Sequence, residues 1–178
     1  MIETKQTILI NVGIDDVWTY AQDIEKWAGL MPGMQTCEVI DAGNSRWTLK
    51  VGAGGLVRTV KVRVQVDEWA GPGRARFSYK LEGDPVEGGG SYEATAKSPT
   101  ETEVLLHVRV EGSGPMAPMW EAMGKPLLPT LAGGFAQQLK LKIEEAAGEA
   151  PTQEPKKPSL LARVAGWLRS LFGLSKTA

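Results

Sequence analysis

The run "VKVRVQVDEW" alternates without a break: Val60, Val62, Val64 and Val66 fall on one side of an extended chain, and Lys61, Arg63, Gln65 and Asp67 on the other. Wound into a helix, the same four valines would scatter around the axis, so the stretch is a strand with one wet and one buried face. The texture recurs. "RWTLKV" aligns Trp47, Leu49 and Val51; "RARFSYKLEG" aligns Phe77, Tyr79 and Leu81; "SYEATAK" aligns Tyr92, Ala94 and Ala96; "EVLLHVRVEG" aligns Val104, Leu106, Val108 and Val110. The connecting segments "GAGG", "GPG", "EGGG" and "SPTET" are short and turn-forming. Half-buried strands joined this way predict an antiparallel meander with one face still to be covered.

The flanking segments supply helices. "TILINV" (7–12) reads as a strand broken at Gly13, after which Ile14, Val17, Trp18, Ala21 and Ile24 recur at helical spacing, with Asp15 and Asp16 in the first turn where the helix dipole favours them. A second short helix, "IEKWAGLM", stops at Pro32-Gly33. Beyond the strands, Leu127, Leu131, Phe135, Leu139 and Ile143 recur every four positions, the pattern of a long amphipathic helix lying across the sheet. Four prolines (Pro115, Pro118, Pro126, Pro129) place the start of its regular part near Pro129, because an interior proline costs about 3 kcal/mol. The Met-rich stretch before it is expected as loop or broken helix. The class is α+β.

Charge divides the chain. The whole carries −1, yet residues 155–178 contain five Lys or Arg and no acid, so residues 1–154 carry −6. The expected organisation is a folded domain over 1–147, a Pro-rich linker over 148–158 with roughly 20 Å of reach, and a basic amphipathic helix over 159–178. Ser159 can cap that helix. Leu160, Leu161, Val164, Trp167, Leu168, Leu171 and Phe172 form its apolar stripe, flanked by Arg163 and Arg169. Residues 160–172 rise roughly 20 Å, too little to cross about 30 Å of hydrocarbon, so an in-plane membrane helix fits better than a span. Docking on a partner protein and folding back on the chain's own domain remain as alternatives. The N-terminus lacks a basic segment followed by an apolar core. The expected location is therefore the cytoplasm, reversibly associated with the inner face of the cell membrane.

Composition narrows the chemistry. One cysteine, Cys37, excludes an internal disulfide, and one histidine, His107, argues against a His/Cys metal site; no metal and no cofactor are expected. The acidic body argues against nucleic acid as partner. His107 shares parity with Leu105 and Arg109, opposite the valine face, and so points to solvent. Glu82, Asp84 and Glu87 surround turn residues, where solvated carboxylates are ordinary. "GAGGLV" and "EGGGSY" lack phosphate-loop spacing and read as turns. Tyr79 and Tyr92 sit on apolar faces, where each hydroxyl either orients a ligand carbonyl or finds a backbone acceptor in the core.

The opening "VGIDDVWTYAQDIEKWAGLMPGM" resembles that of carbon monoxide dehydrogenase G-like proteins, and "WEAMGKPLLPTLAGGFAQQLKLKIEE" is similar to the wider cyclase-like group, both within the SRPBCC superfamily of START and polyketide-cyclase-like domains. The G-like group commonly has Cys after the Pro-Gly turn, where this chain has Met34. The resemblance implies a helix-grip fold: a curved antiparallel sheet wrapped around a long C-terminal helix, with two short helices after the first strand and a deep apolar cavity between. No catalytic residue is expected, because His107, Tyr79, Tyr92 and the turn carboxylates form no convincing constellation. Trp18, Trp27, Leu30, Met31 and Met34 would line that cavity from the front segment, Val62, Val64, Phe77, Tyr79 and Tyr92 from the strands, and Leu127, Leu131 and Phe135 from the helix. Met116, Met119 and Met123 would join Met31 and Met34 in a pliant thioether-lined mouth, or merely fill gaps in the core. The implied function is non-catalytic: carriage of a lipid or quinone, or membrane recruitment, as an accessory to a partner oxidoreductase of the molybdenum hydroxylase type. A cyclase- or dehydratase-like enzyme using Tyr79 or Tyr92 is the alternative, and a purely protein-binding accessory factor is a third.

Overall fold

The computed structural model describes residues 1–148 apart from Gly54. Along them run β1 (Ile2–Ile10), α1 (Ile14–Ala21), α2 (Ile24–Ala28), β2 (Met34–Val39), β3 (Asn44–Ala53), β4 (Leu56–Ala70), β5 (Arg74–Leu81), β6 (Val86–Ser98), β7 (Glu101–Gly112) and α3 (Ala117–Ala146). The strands make one antiparallel sheet in the order β1-β7-β6-β5-β4-β3-β2. β3 to β7 form the meander that the alternation predicts, β2 extends it beyond β3, and β1 closes the far edge by pairing with β7 from Ile2↔Val110 to Ile10↔Thr102. Register shifts at Val66/Glu68 and Ala96/Ser98 mark where the long strands bend. The curved sheet wraps around α3, which is the helix-grip arrangement.

The segment where β1 leaves the sheet for α1 is pinned from two sides. Thr102, fully buried, donates its hydroxyl to the Val12 carbonyl at 2.7 Å. Glu144, also fully buried, accepts from the Asn11 N–H at 3.0 Å and from Lys140 Nζ at 2.9 Å, while Lys140 donates to the Leu9 carbonyl as well. A carboxylate this deep persists because it is paired and hydrogen-bonded. Around it Ile10, Val17, Val104, Ala136, Leu139 and Ile143 form the core, each 2 % exposed or less.

Several expectations change. β1 starts at Ile2 rather than at residue 7, because β7 supplies ladder partners along its whole length. β2 carries no apolar alternation that sequence could reveal; it is an edge strand templated by β3, with Cys37 opposite Trp47. "EGGG" is not a turn: Gly88, Gly89 and Gly90 lie inside β6. α2 ends at Ala28, so Leu30 and Met31 follow the helix.

The largest correction concerns α3, which runs unbroken from Ala117 instead of starting near Pro129. Pro118 falls in the first turn, where no intrahelical N–H is needed. Pro126 and Pro129 are interior but exposed, as are Ala122 and Lys125, whose carbonyls they leave without an amide. On that outer side water can satisfy them, and the Thr130 hydroxyl donates to the Pro126 carbonyl at 2.9 Å. The proposed linker beyond Gly148, the helix over 159–178, and with it the stripe from Leu160 to Phe172, lie outside the described residues.

Candidate functional site

α3 packs on β1 and β7, meets β3 near Pro32, and stands off from β4, β5 and β6. Between helix and sheet is a cavity of about 250 Å³, well over ten times what a single water needs. Val62, Val64 and Phe77 form part of its sheet wall, Met123, Leu127, Leu131 and Phe135 its helix wall, and Trp27 and Met31 one flank. Leu127, Leu131 and Phe135 are only half-buried although they face inward. Empty space accounts for this: all three side chains border the cavity.

Trp27 organises that flank, its ring centroid 5.2 Å from Trp47, 5.8 Å from Phe77 and 6.3 Å from Phe135. The glycines of β6 explain the breadth of the sheet wall. A side chain at Gly88 would collide with the Tyr79 ring, and one at Gly90 with Phe77, so both rings extend over β6 from β5. Tyr79 continues across it and donates its hydroxyl to the Arg109 carbonyl of β7 at 2.8 Å. Tyr92, 7 % exposed, lines the cavity and has no partner for its hydroxyl. Burial pushes the pKa of both phenols well above the ordinary tyrosine range, so both hydroxyls keep their protons at neutral pH.

Charge at the cavity is already matched. Arg58 pairs with Asp84 at 2.7 Å and lies 5.5 Å from the Trp120 ring centroid; Arg76 pairs with Glu68 at 2.6 Å; Glu121 meets the N-terminal amine at 2.8 Å. His107 is on the opposite face of the sheet, 3.0 Å from Glu3. Glu82 is held below the usual carboxylate range by Arg46 and Arg63, and Glu87 pairs with Lys80, as expected of surface groups. Cys37 sits half-buried in β2, where burial raises its thiol pKa. Among the described residues no cluster of His, Cys, Asp and Glu could hold a metal ion. No described helix is long and apolar enough to cross a membrane.

Of the residues expected at the site, Trp27, Met31, Val62, Val64, Phe77, Tyr79, Tyr92, Met123, Leu127, Leu131 and Phe135 line the cavity. Trp18 does not; it stands behind Tyr92 (6.0 Å between centroids) and Trp69 (5.7 Å). Leu30 is in the core, and Met34 packs beneath β3 from the edge strand. Met116 and Met119 are half-exposed and outside the lining. The methionines therefore do not gather at one mouth: Met31 neighbours the Pro32–Gly134 contact, and Met123 lies eleven residues, about 16 Å, earlier along α3. Sequence reasoning missed Trp120 and Trp69, which do line the cavity. Trp120 was legible only once the helix is known to extend through it.

No curated protein matches this chain. Solved structures do. A conserved protein from Geobacillus kaustophilus superposes with a TM-score of 0.71 at 17 % identity, covering 82 % of this chain and 97 % of that one. A START superfamily protein from Mycobacterium smegmatis gives 0.62 at 13 % identity (81 % and 98 %), and the ZhuI aromatase/cyclase from Streptomyces sp. R1128 gives 0.59 at 17 % (84 % and 99 %). At these identities the likeness is one of fold. The family model for polyketide cyclase / dehydrase and lipid transport matches residues 1–144, nearly the whole of the described chain. With its grip of sheet on helix and its apolar cavity, the chain belongs to that family, within the START/SRPBCC superfamily.

Proposed function

We propose that this protein is a non-catalytic carrier of a hydrophobic small molecule, a lipid or a quinone, working at a membrane surface. The observation that carries the reading is the cavity itself: apolar walls on sheet, helix and flank, with every charged side chain at its border already ion-paired. A guest that leaves on the order of 300 Å² of apolar surface out of water gains roughly 7 kcal/mol. Part of that is lost with the guest's freedom, leaving the reversible affinity a carrier needs.

The membrane part rests on the cationic, apolar sequence over 159–178. The finer assignment, service to an oxidoreductase of the carbon monoxide dehydrogenase type, rests on the resemblance of "VGIDDVWTYAQDIEKWAGLMPGM" alone. The cyclase alternative would need an acid and a base converging on the guest. Tyr92 offers one proton donor, and no described carboxylate or imidazole faces it as base.

Organic extraction and mass spectrometry of gently purified protein should return a stoichiometric apolar molecule, and flotation with anionic liposomes should carry the full chain but not a chain ending at Ala150. Protein that extracts clean and takes up no added lipid would refute the carrier. Flotation independent of the tail would refute the membrane anchor.

A further inference from the structure

The described residues leave very few buried side-chain polar atoms without a hydrogen bond: Tyr92 Oη, Trp27 Nε1, Trp120 Nε1 and Glu68 Oε2, the last of which lies 2.6 Å from Arg76 Nε in an ion pair. The three that remain all belong to cavity-lining residues. All three are donors: an indole N–H can only donate, and a phenol kept protonated by burial has a proton to give. Buried donors without acceptors are rare because each forfeits its hydration. Three of them around one apolar cavity indicate that the missing acceptors arrive with the guest.

Their positions sort into two stations. Tyr92 is paired with Ala75 on β5, whose same-face neighbour is Phe77, and the Trp27 ring stands 5.8 Å from Phe77; Tyr92 and Trp27 thus flank one end of the cavity. Trp120 packs against Gly112, which is paired with Val86, six residues before Tyr92 on β6. At about 3.3 Å per residue the stations are roughly 20 Å apart. Charge adds a second constraint. Arg58, Arg76 and Glu121, the charged residues at the border, are each committed to an ion pair, so a carboxylate or phosphate inside would be desolvated without a free counter-charge.

We infer that the cavity selects an elongated, uncharged molecule bearing a carbonyl oxygen, held at Tyr92 Oη and Trp27 Nε1, with its apolar body running towards Trp120. This specifies the guest of the carrier reading above and rests on it. A fatty-acid anion, equally apolar along its chain, is disfavoured.

Methyl tridecyl ketone, pentadecane and pentadecanoate, offered to the full chain in competition with Nile red, separate the terms, and infrared spectroscopy of the carbon-13 carbonyl reads the hydrogen bond in the unmodified protein. The expected result is a ketone stretch lower than in hexane and binding at least tenfold tighter than that of pentadecanoate at pH 8. Tyr92→Phe should return the stretch towards its hexane value and weaken ketone binding about three- to tenfold, the worth of one hydrogen bond. A bound ketone with an unshifted stretch would overturn the donor assignment and leave the carrier intact. Pentadecanoate competing as well as the ketone would overturn the selection against charge. Failure of both ketone and alkane to displace Nile red would take the carrier reading down with this one.

Discussion

Two sides of α3 meet the sheet on different terms. Ala136 and Ile143, both 2 % exposed, are pressed into β1, β7 and α1, and Glu144 beside them is tied by hydrogen bonds to the β1–α1 junction. Leu127, Leu131 and Phe135, a fraction of a turn around the same helix, face β4 and β5 across a space they do not fill. One helix therefore carries a stripe that holds the fold together and a stripe that waits for a guest. Stability and binding are separated by angle around a single element, so each can be altered with little effect on the other.

The sharpest way to break this contrast is to remove matched bulk from each stripe. Ile143→Ala should lower unfolding free energy by about 3 kcal/mol, because its neighbours cannot collapse on the void, whereas Leu131→Ala should lower it by less than about 1 kcal/mol, since the side chain already borders empty space. Urea titration measures both, and equal losses would erase the distinction. A saturating guest tests the other side: at a hundred times Kd it should add about 2.7 kcal/mol, seen as a rise in Tm. Adding bulk inverts the first experiment. Ala136→Leu should overpack the core and cost about 1 to 3 kcal/mol, while Leu131→Trp should fold almost as stably as the parent and lose Nile red binding. The smallest expected effect compares two tyrosines on the sheet. Tyr79→Phe deletes the hydrogen bond to the Arg109 carbonyl and should destabilise by about 1 kcal/mol; Tyr92→Phe deletes a buried hydroxyl without a partner and should stabilise the empty protein by about 1 kcal/mol.

Much of this architecture was legible because the strands announce themselves. Val60 to Val66 and Val104 to Val110 alternate cleanly, and period two survives whatever lies opposite. Where a neighbour decides, sequence was silent. β2 is a strand because β3 offers it hydrogen bonds, and β6 runs extended through Gly88 and Gly90 with aromatic rings from β5 in the room their side chains would take. Pro126 and Pro129 pointed to a break, but the penalty of an interior proline falls when the freed carbonyl faces water. The cavity wall followed the same division. Val62, Val64, Leu131 and Phe135 were found from their stripes, while Met116 and Met119 were expected at the mouth because methionines cluster there in sequence and the helix-grip resemblance brings that segment near the cavity entrance. Met119, in the first turn of α3, and Met116, which caps it, both face outward.

The most direct trial of the hollow interior is native mass spectrometry of delipidated protein with methyl tridecyl ketone, alongside Leu131→Trp under the same conditions. A one-to-one complex with the parent that disappears in the tryptophan variant is the result expected of a guest seated between α3 and the sheet. No complex with the parent, or one that survives the filled cavity undiminished, would contradict it.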